Sequence, residues 1–302
     1  MHAQSSEPAR SNKADSMAKN DSEGLRGRVS DLSRHGTLAL LLLASMPGGA
    51  CTPMSTIDVE RHRRTPRLEV TPSNSPAQAE DATSVEGRLL DTRIYGQGSR
   101  RILLLGAIHG DEPGSHLLVR DIEAWVQRQP ALLEGLQLVV ASPVNPDGLA
   151  AGTRRNARGV DLNRNFPSRN FTPSAVRGHE PLCEPEARFV HRLLIEHNPA
   201  LVISVHQPRR SVNWDGPAED LARAMAERCG YVAEATVGYS TPGSLGSYHG
   251  IDRKQAIITL ELPRHPAAGK SFFDETQTAI EYAFDWVRNY GQRSEVPAAA
   301  SR

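Results

Sequence analysis

The residues best suited to chemistry stand in a glycine-rich turn, His109-Gly110-Asp111-Glu112. An imidazole and a carboxylate three residues apart are good ligands for a borderline cation such as zinc. The apolar run at 102–105 comes directly before the turn, which predicts a buried strand leading into it. Asp111 stands between the two ligands and is a candidate for orienting one of them.

Two further polar residues stand where apolar strands are predicted. His206 directly follows the run 201–205, and Glu261 lies within the run 257–262. Taken singly, a polar residue at a strand end is more often a hydrogen-bonded structural residue than a ligand. Sites in α/β proteins form at the carboxyl ends of strands, so these residues are expected to meet the turn there. Two imidazoles, one ligating carboxylate and a separate glutamate would complete a hydrolytic zinc site with one open position.

A long loop at 143–181 carries the most specific motif of the chain. It contains Asn145-Pro146-Asp147-Gly148 and then Gly159-Val160-Asp161-Leu162-Asn163-Arg164-Asn165. Loops of this length in compact domains are usually functional. With the His-Gly-Asp-Glu turn upstream, the chain resembles the zinc carboxypeptidase family from about residue 100 to 264.

The resemblance implies a role for each matching residue of the metal site. His109, Glu112 and His206 match the ligands of one zinc ion per chain. Glu261, in the segment 259–262, matches the carboxylate that acts as general base and then as general acid.

Further matches concern the substrate. Arg154, five residues before Gly159, matches the arginine that polarises the scissile carbonyl, and Arg155 remains open as an alternative. Asn163 and Arg164 match the pair that grips the terminal carboxylate of the substrate, and the guanidinium fork of an arginine suits a carboxylate. Apart from the resemblance, a solvated basic loop would explain the arginines at 154–158 equally well.

Within the family, the chain resembles the murein peptide amidases. The segments that carry this similarity are 109–115, 159–167, 184–186 and 241–248. The resemblance implies cleavage of the bond between γ-D-glutamate and meso-diaminopimelate in murein tripeptide. Tyr248, close to the position of a mobile tyrosine in digestive carboxypeptidases, is a candidate for the substrate pocket.

Three other functions remain open at this stage. The first is a general metallocarboxypeptidase acting on ordinary peptides, and the second is an N-acyl amino acid deacylase similar to succinylglutamate desuccinylase. The third is an inactive peptidoglycan-binding module, which the presence of all three ligands and Glu261 argues against. The net charge of +0 gives no indication of a nucleic-acid partner.

The pattern of apolar residues predicts an α/β fold with a single catalytic domain. Helices are expected at 113–129, 184–197, 218–229 and 272–290, and strands at 89–95, 102–108, 136–141, 200–205 and 256–262. Strands that alternate with helices, together with the family resemblance, imply a three-layer α/β/α sandwich around a mixed, mostly parallel sheet. Cys183 and Cys229 are interpreted as two unrelated thiols, with one disulfide as the alternative.

The ends of the chain differ in composition from the middle. Residues 1–50 are predicted to be a tail and signal peptide, because the apolar run 37–46 is too short to span a bilayer. The run resembles a lipoprotein signal ending at Cys51, which predicts a lipid anchor there and a periplasmic, cell-envelope location; without a signal the protein would be cytoplasmic. A flexible linker at 51–83, a catalytic domain at 84–292 and a disordered tail at 293–302 complete the predicted organisation.

Overall fold

The computed structural model describes residues 83–235 and 241–293. The predicted signal peptide, Cys51 and nearly all of the predicted linker and C-terminal tail lie outside these ranges, so the domain boundaries remain predictions. Within the described ranges, no helix is both long enough and apolar enough to cross a membrane.

Seven strands of the described residues form one mixed sheet in the order β1-β3-β2-β4-β7-β5-β6. Four neighbouring pairs are parallel, and the pairs β1–β3 and β5–β7 are antiparallel. The strands are β1 Arg93–Tyr95, β2 Arg100–Leu105, β3 Leu136–Ala141, β4 Leu201–His206, β5 Arg209–Asp215, β6 Val232–Glu234 and β7 Ile257–Pro263.

Helices cover both faces of this sheet. On one face α1, α4 and α5 share a core with the strands, and on the other face α3 packs over a second core. The predicted three-layer α/β/α sandwich with a mostly parallel sheet is therefore confirmed. The helices are α1 Pro113–Arg128, α2 Pro146–Ala151, α3 Pro185–His197, α4 Glu219–Cys229 and α5 Phe272–Arg293.

The strict alternation of side chains along a strand determines which residues can reach a site. In β7, Leu260 and Leu262 belong to the core under α1, α4 and α5, so Glu261 points to the opposite face. In β4, Ile203 and Val205 belong to that same core, and His206 points away from it. The two strands pair in parallel with His206 opposite Glu261, which places both polar side chains side by side.

Several elements differ from the sequence prediction. Strand β2 ends at Leu105 rather than at residue 108, because the chain turns at Gly106 and Ala107 takes a left-handed φ of 51°. Strands β5 and β6 were not predicted, and neither was the short helix α2 inside the long loop. Cys183 and Cys229 are both free thiols.

Asp147 in α2 anchors the first described residues of the domain. Its carboxylate accepts hydrogen bonds from Ser84 Oγ at 2.7 Å and from the backbone N–H of Glu86 at 2.9 Å. Arg88 donates a third at 2.6 Å. Burial alone would raise the pKa of Asp147, but these hydrogen bonds outweigh burial and lower it below the ordinary value of 3.8.

We expect Asp147→Asn to lower the free energy of unfolding at neutral pH by about 1–3 kcal/mol, because the amide cannot accept all three hydrogen bonds. A lowered pKa stabilises the fold above the unfolded-state pKa, and this contribution disappears as the pH falls through the folded-state pKa. The gap between wild type and variant should therefore be full at pH 7 and shrink below about pH 4. Urea unfolding with a chelator present throughout measures the difference in the free energy of unfolding between wild type and variant. A gap independent of pH would contradict the assignment, and Glu219→Gln on the exposed side of α4 is the control.

Candidate metal centre

The turn that carries His109 and Glu112 is fixed by hydrogen bonds and by close backbone packing. The N–H of Ala107 donates to Ser115 Oγ at 2.9 Å, which helps to hold its left-handed conformation. A Cβ at Gly110 would lie 1.9 Å from the carbonyl carbon of Gly148 in α2. Glycine at 110 is thus required by a backbone-to-backbone contact, which the sequence alone did not reveal.

His109, Glu112 and His206 meet as predicted, and their ligand atoms all lie within 4.8 Å of one another. His109 Nδ1 lies 2.8 Å from Glu112 Oε1, and His206 Nδ1 lies 2.9 Å from Glu112 Oε2. The two Nδ1 atoms are 3.1 Å apart. All three side chains are buried. Two imidazole nitrogens and a carboxylate that converge in this way form a donor set that fits a catalytic zinc ion.

Each imidazole is held at its other nitrogen. His109 Nε2 lies 3.0 Å from Asp161 Oδ1, and His206 Nε2 lies 3.1 Å from Ser204 Oγ. A carboxylate only accepts, so the neutral His109 ring carries its hydrogen on Nε2 and directs the Nδ1 lone pair at the cluster. The residue that orients a ligand is therefore Asp161 rather than Asp111, whose side chain is exposed. The sequence offered one indication of this role for Asp161, which is its position inside the Gly-Val-Asp-Leu-Asn-Arg motif.

The ionisable groups of the cluster have strongly shifted pKa values. Burial would lower the pKa of His109, but its hydrogen bonds to Asp161 and Glu112 outweigh burial and raise the pKa to about 9. Burial would raise the pKa of Glu112 and of Asp161, yet the neighbouring histidines hold both carboxyl pKa values far below their usual range. Both carboxylates stay ionised, which favours a divalent cation at the point where the imidazoles meet.

Glu261 lies beside this cluster without belonging to it. Its side chain is 8% exposed, and burial raises its pKa, with Glu112 adding to the effect and His206 opposing it. Among the described residues, no group donates a hydrogen bond to the buried Oε2 atom. A buried acceptor atom without a hydrogen-bond partner is well placed to accept a proton from a bound ligand.

One cavity of about 530 Å³ joins seven of the eight predicted site residues. Arg154 lies in its wall and donates to Asp161 at 3.1 Å and to Glu112 at 3.2 Å. Arg155 is exposed and is not part of the lining, so the geometry favours Arg154 for a role at the site. The predicted residues that line the cavity are His109, Glu112, Arg154, Asn163, Arg164, His206 and Glu261.

The side chain of Asn163 is fixed in an orientation that lets it donate a hydrogen bond into the cavity. Its amide oxygen accepts the N–H of Leu245 at 2.9 Å, so its NH₂ group is the end left for the cavity. Arg164 follows in the same short helical turn, Leu162–Arg164, and lines the cavity beside it.

Tyr248 lies elsewhere than predicted. Its ring stacks on Phe166 in the core under α3, and its hydroxyl contacts His191 Nε2 at 2.9 Å and accepts from Arg253 at 3.2 Å. It is buried and does not line the cavity. The segment 246–252 forms a π-helical turn, which directs Gly246 and Ser247 toward the cavity and Tyr248 into the core.

The sequence matches the zinc carboxypeptidase family over residues 77–241, and the chain belongs to that family of zinc metallopeptidases. It is 33% identical to murein peptide amidase A of Escherichia coli K12 over 177 residues, covering 53% of this chain and 70% of the relative. The crystal structure of murein-tripeptide amidase from Escherichia coli O157 superimposes with a TM-score of 0.55 at 28% identity, covering 70% and 93% of the two chains. Bovine thrombin-activatable fibrinolysis inhibitor shares the fold, with a TM-score of 0.58 at 19% identity over 71% and 90% of the chains.

We expect Asp161→Asn to weaken zinc binding by about 10–100-fold, because the variant loses the carboxylate that orients His109. Competition with a chromogenic chelator measures the zinc affinity directly. Asp111→Asn removes a charge from the same turn and serves as the matched control, with zinc affinity expected to stay near that of wild type. A larger loss in Asp111→Asn than in Asp161→Asn would reverse the assignment.

Proposed function

We propose that this zinc metallopeptidase cleaves the amide bond between γ-D-glutamate and meso-diaminopimelate in murein tripeptide. The observation that carries the proposal is that one cavity contains both the His-Glu-His cluster and the polar pair Asn163 and Arg164. A site of this kind suits an amide bond next to a free carboxylate. The relatives named as murein amidases supply the substrate class.

Asn163 and Arg164 bind the carboxylate of the leaving residue in this proposal. A guanidinium and an amide NH₂ group both donate, and a guanidinium matches a carboxylate with two parallel hydrogen bonds. Diaminopimelate at the end of the tripeptide presents such a carboxylate. Binding it would fix the scissile bond beside the metal cluster.

His109, Glu112 and His206 would hold one zinc ion per chain. When bound, zinc lowers the pKa of a coordinated water to about 7 and polarises the scissile carbonyl. Glu261 takes the proton of the attacking water and returns it to the leaving nitrogen, which its unpartnered Oε2 atom suits. Arg154 donates to the carbonyl oxygen as negative charge develops there.

The test is to incubate the purified zinc-loaded protein with L-Ala-γ-D-Glu-meso-diaminopimelate and to follow the products by mass spectrometry. Free diaminopimelate is expected from the wild type. No product is expected from Glu261→Gln or after removal of zinc with a chelator, and zinc content measured on each sample separates a lost base from a lost metal.

Two results would overturn the proposal. Release of C-terminal residues from ordinary peptides alone would make the protein a general carboxypeptidase. Wild-type rates in zinc-loaded Glu261→Gln would exclude Glu261 as the base.

The two neighbouring arginines give a matched pair of variants. Arg154→Lys should lower kcat by about 10²–10³-fold, because a group that stabilises charge only during the reaction is replaced by one with different geometry. Arg155→Lys should leave kcat close to that of wild type. Steady-state kinetics on the tripeptide decide between them, and a larger loss in Arg155→Lys would exchange the two roles.

A further inference from the structure

The turn at 156–160 directly precedes Asp161. Its backbone is closed by a hydrogen bond from the N–H of Asn156 to the carbonyl oxygen of Val160, at 3.0 Å. Asp161 lies 3.0 Å from His109 Nε2, so the position of the turn decides where this carboxylate meets the imidazole. A group that fixes the turn therefore also acts on a metal ligand.

The side chain of Asn156 makes all the hydrogen bonds that a primary amide can make, although it is buried. Its oxygen accepts the N–H groups of Arg158 at 3.1 Å and of Val160 at 3.0 Å. Its NH₂ group donates to Glu184 Oε2 at 2.7 Å and to Glu186 Oε2 at 3.1 Å. Asn156 thus joins the turn to the N-terminal end of α3, where both glutamates stand.

The two carboxylates that hold Asn156 are themselves deeply buried. Glu184 is 3% exposed and Glu186 is fully buried. Burial raises the pKa of Glu186, and the neighbouring charge of Glu184 adds to that effect, so a charge is unfavourable at this place. Apolar side chains would fill the same space at a lower cost in stability. Neither glutamate lines the cavity of the metal ligands, so we explain the pair by its contacts with Asn156.

We propose that Asn156, held by these two glutamates, is a positioning residue for the metal site. Its hydrogen bonds fix Val160, and Asp161 follows directly in the chain. Asp161 in turn orients the ring of His109. Loss of the contacts of Asn156 lets the turn move, and zinc affinity falls although no ligand is changed. The inference concerns zinc affinity and does not depend on the proposed substrate.

The first variant reverses the polarity of the central contact. Asn156→Asp keeps the oxygen that accepts from the backbone but replaces the NH₂ group with an oxygen, which the two glutamates repel. Zinc affinity of the full chain, measured by competition with a chromogenic chelator, should fall by about 10-fold, the lower end of the range for residues behind a metal ligand. Asn198→Asp adds the same charge at the exposed C-terminal end of α3 and should keep the wild-type affinity.

The second variant restores both contacts with donor and acceptor exchanged. It combines Asn156→Asp with Glu184→Gln and Glu186→Gln, so that two side-chain NH₂ groups can donate to the carboxylate at position 156. Zinc affinity should return toward that of wild type. No recovery in this triple variant would overturn the inference.

A double-mutant cycle separates positioning through Asp161 from a general loss of structure. Added to Asp161→Asn, the change Asn156→Asp should lower zinc affinity much less than it does in wild type, because the contact through which it acts is already lost. The free energy of unfolding is measured on each variant with a chelator present. A purely structural role would lower this free energy and leave the two losses in zinc affinity additive.

Additive losses, or wild-type zinc affinity in Asn156→Asp, would therefore contradict the inference. If Asn156→Asp does not fold, Asn156→Ser repeats the same cycle, because a serine side chain is too short to reach the two carboxylates and adds no charge. The readout is zinc affinity rather than cleavage, so the proposed function and this inference can fail separately.

Discussion

The structure depends on an imidazole held between two buried carboxylates. His109 contacts Glu112 through one ring nitrogen and Asp161 through the other, and all three side chains are nearly inaccessible to water. Two negative charges at such depth require positive charge close by, which the guanidinium of Arg154 supplies through hydrogen bonds to both carboxylates. The residues of this cluster come from the turn before α1, the end of β4 and the long loop, which are distant in sequence. The buried charges are therefore neutralised only when all three segments pack together.

Much of the fold could be predicted from the sequence because apolar periodicity is a local property. Helices α1, α3, α4 and α5 and strands β3, β4 and β7 contribute to the two cores, and their patterns are correspondingly clear. Strand β5 was missed because one of its faces lines the cavity and therefore carries Ser211, Asn213 and Asp215 instead of apolar residues. Edge strand β6, with three residues, is too short to show a period.

The candidate site was predicted through its ligand types and its motif, and the structure brings most of those residues into one cavity. The sequence could not show which way each side chain points in the folded protein. Tyr248 and Ser247 are neighbours, yet a π-helical turn sends one into the core and the other toward the cavity. Asp111 and Asp161 are chemically equal, and only the folded chain shows which of them touches His109.

The contact between Gly110 and Gly148 has a mechanical consequence. Because two backbones touch there without side chains between them, helix α2 cannot move closer to the ligand-bearing turn without a backbone clash. Asp147, in the same helix, is bonded to Ser84 and Glu86 at the beginning of the described chain. Tension applied to the N-terminal end of the domain would therefore act on α2, beside His109 and Glu112, and also on α3, where Glu186 accepts the N–H of Val85. The chain therefore enters the domain at a point that is linked to the metal ligands by two hydrogen bonds and one backbone contact.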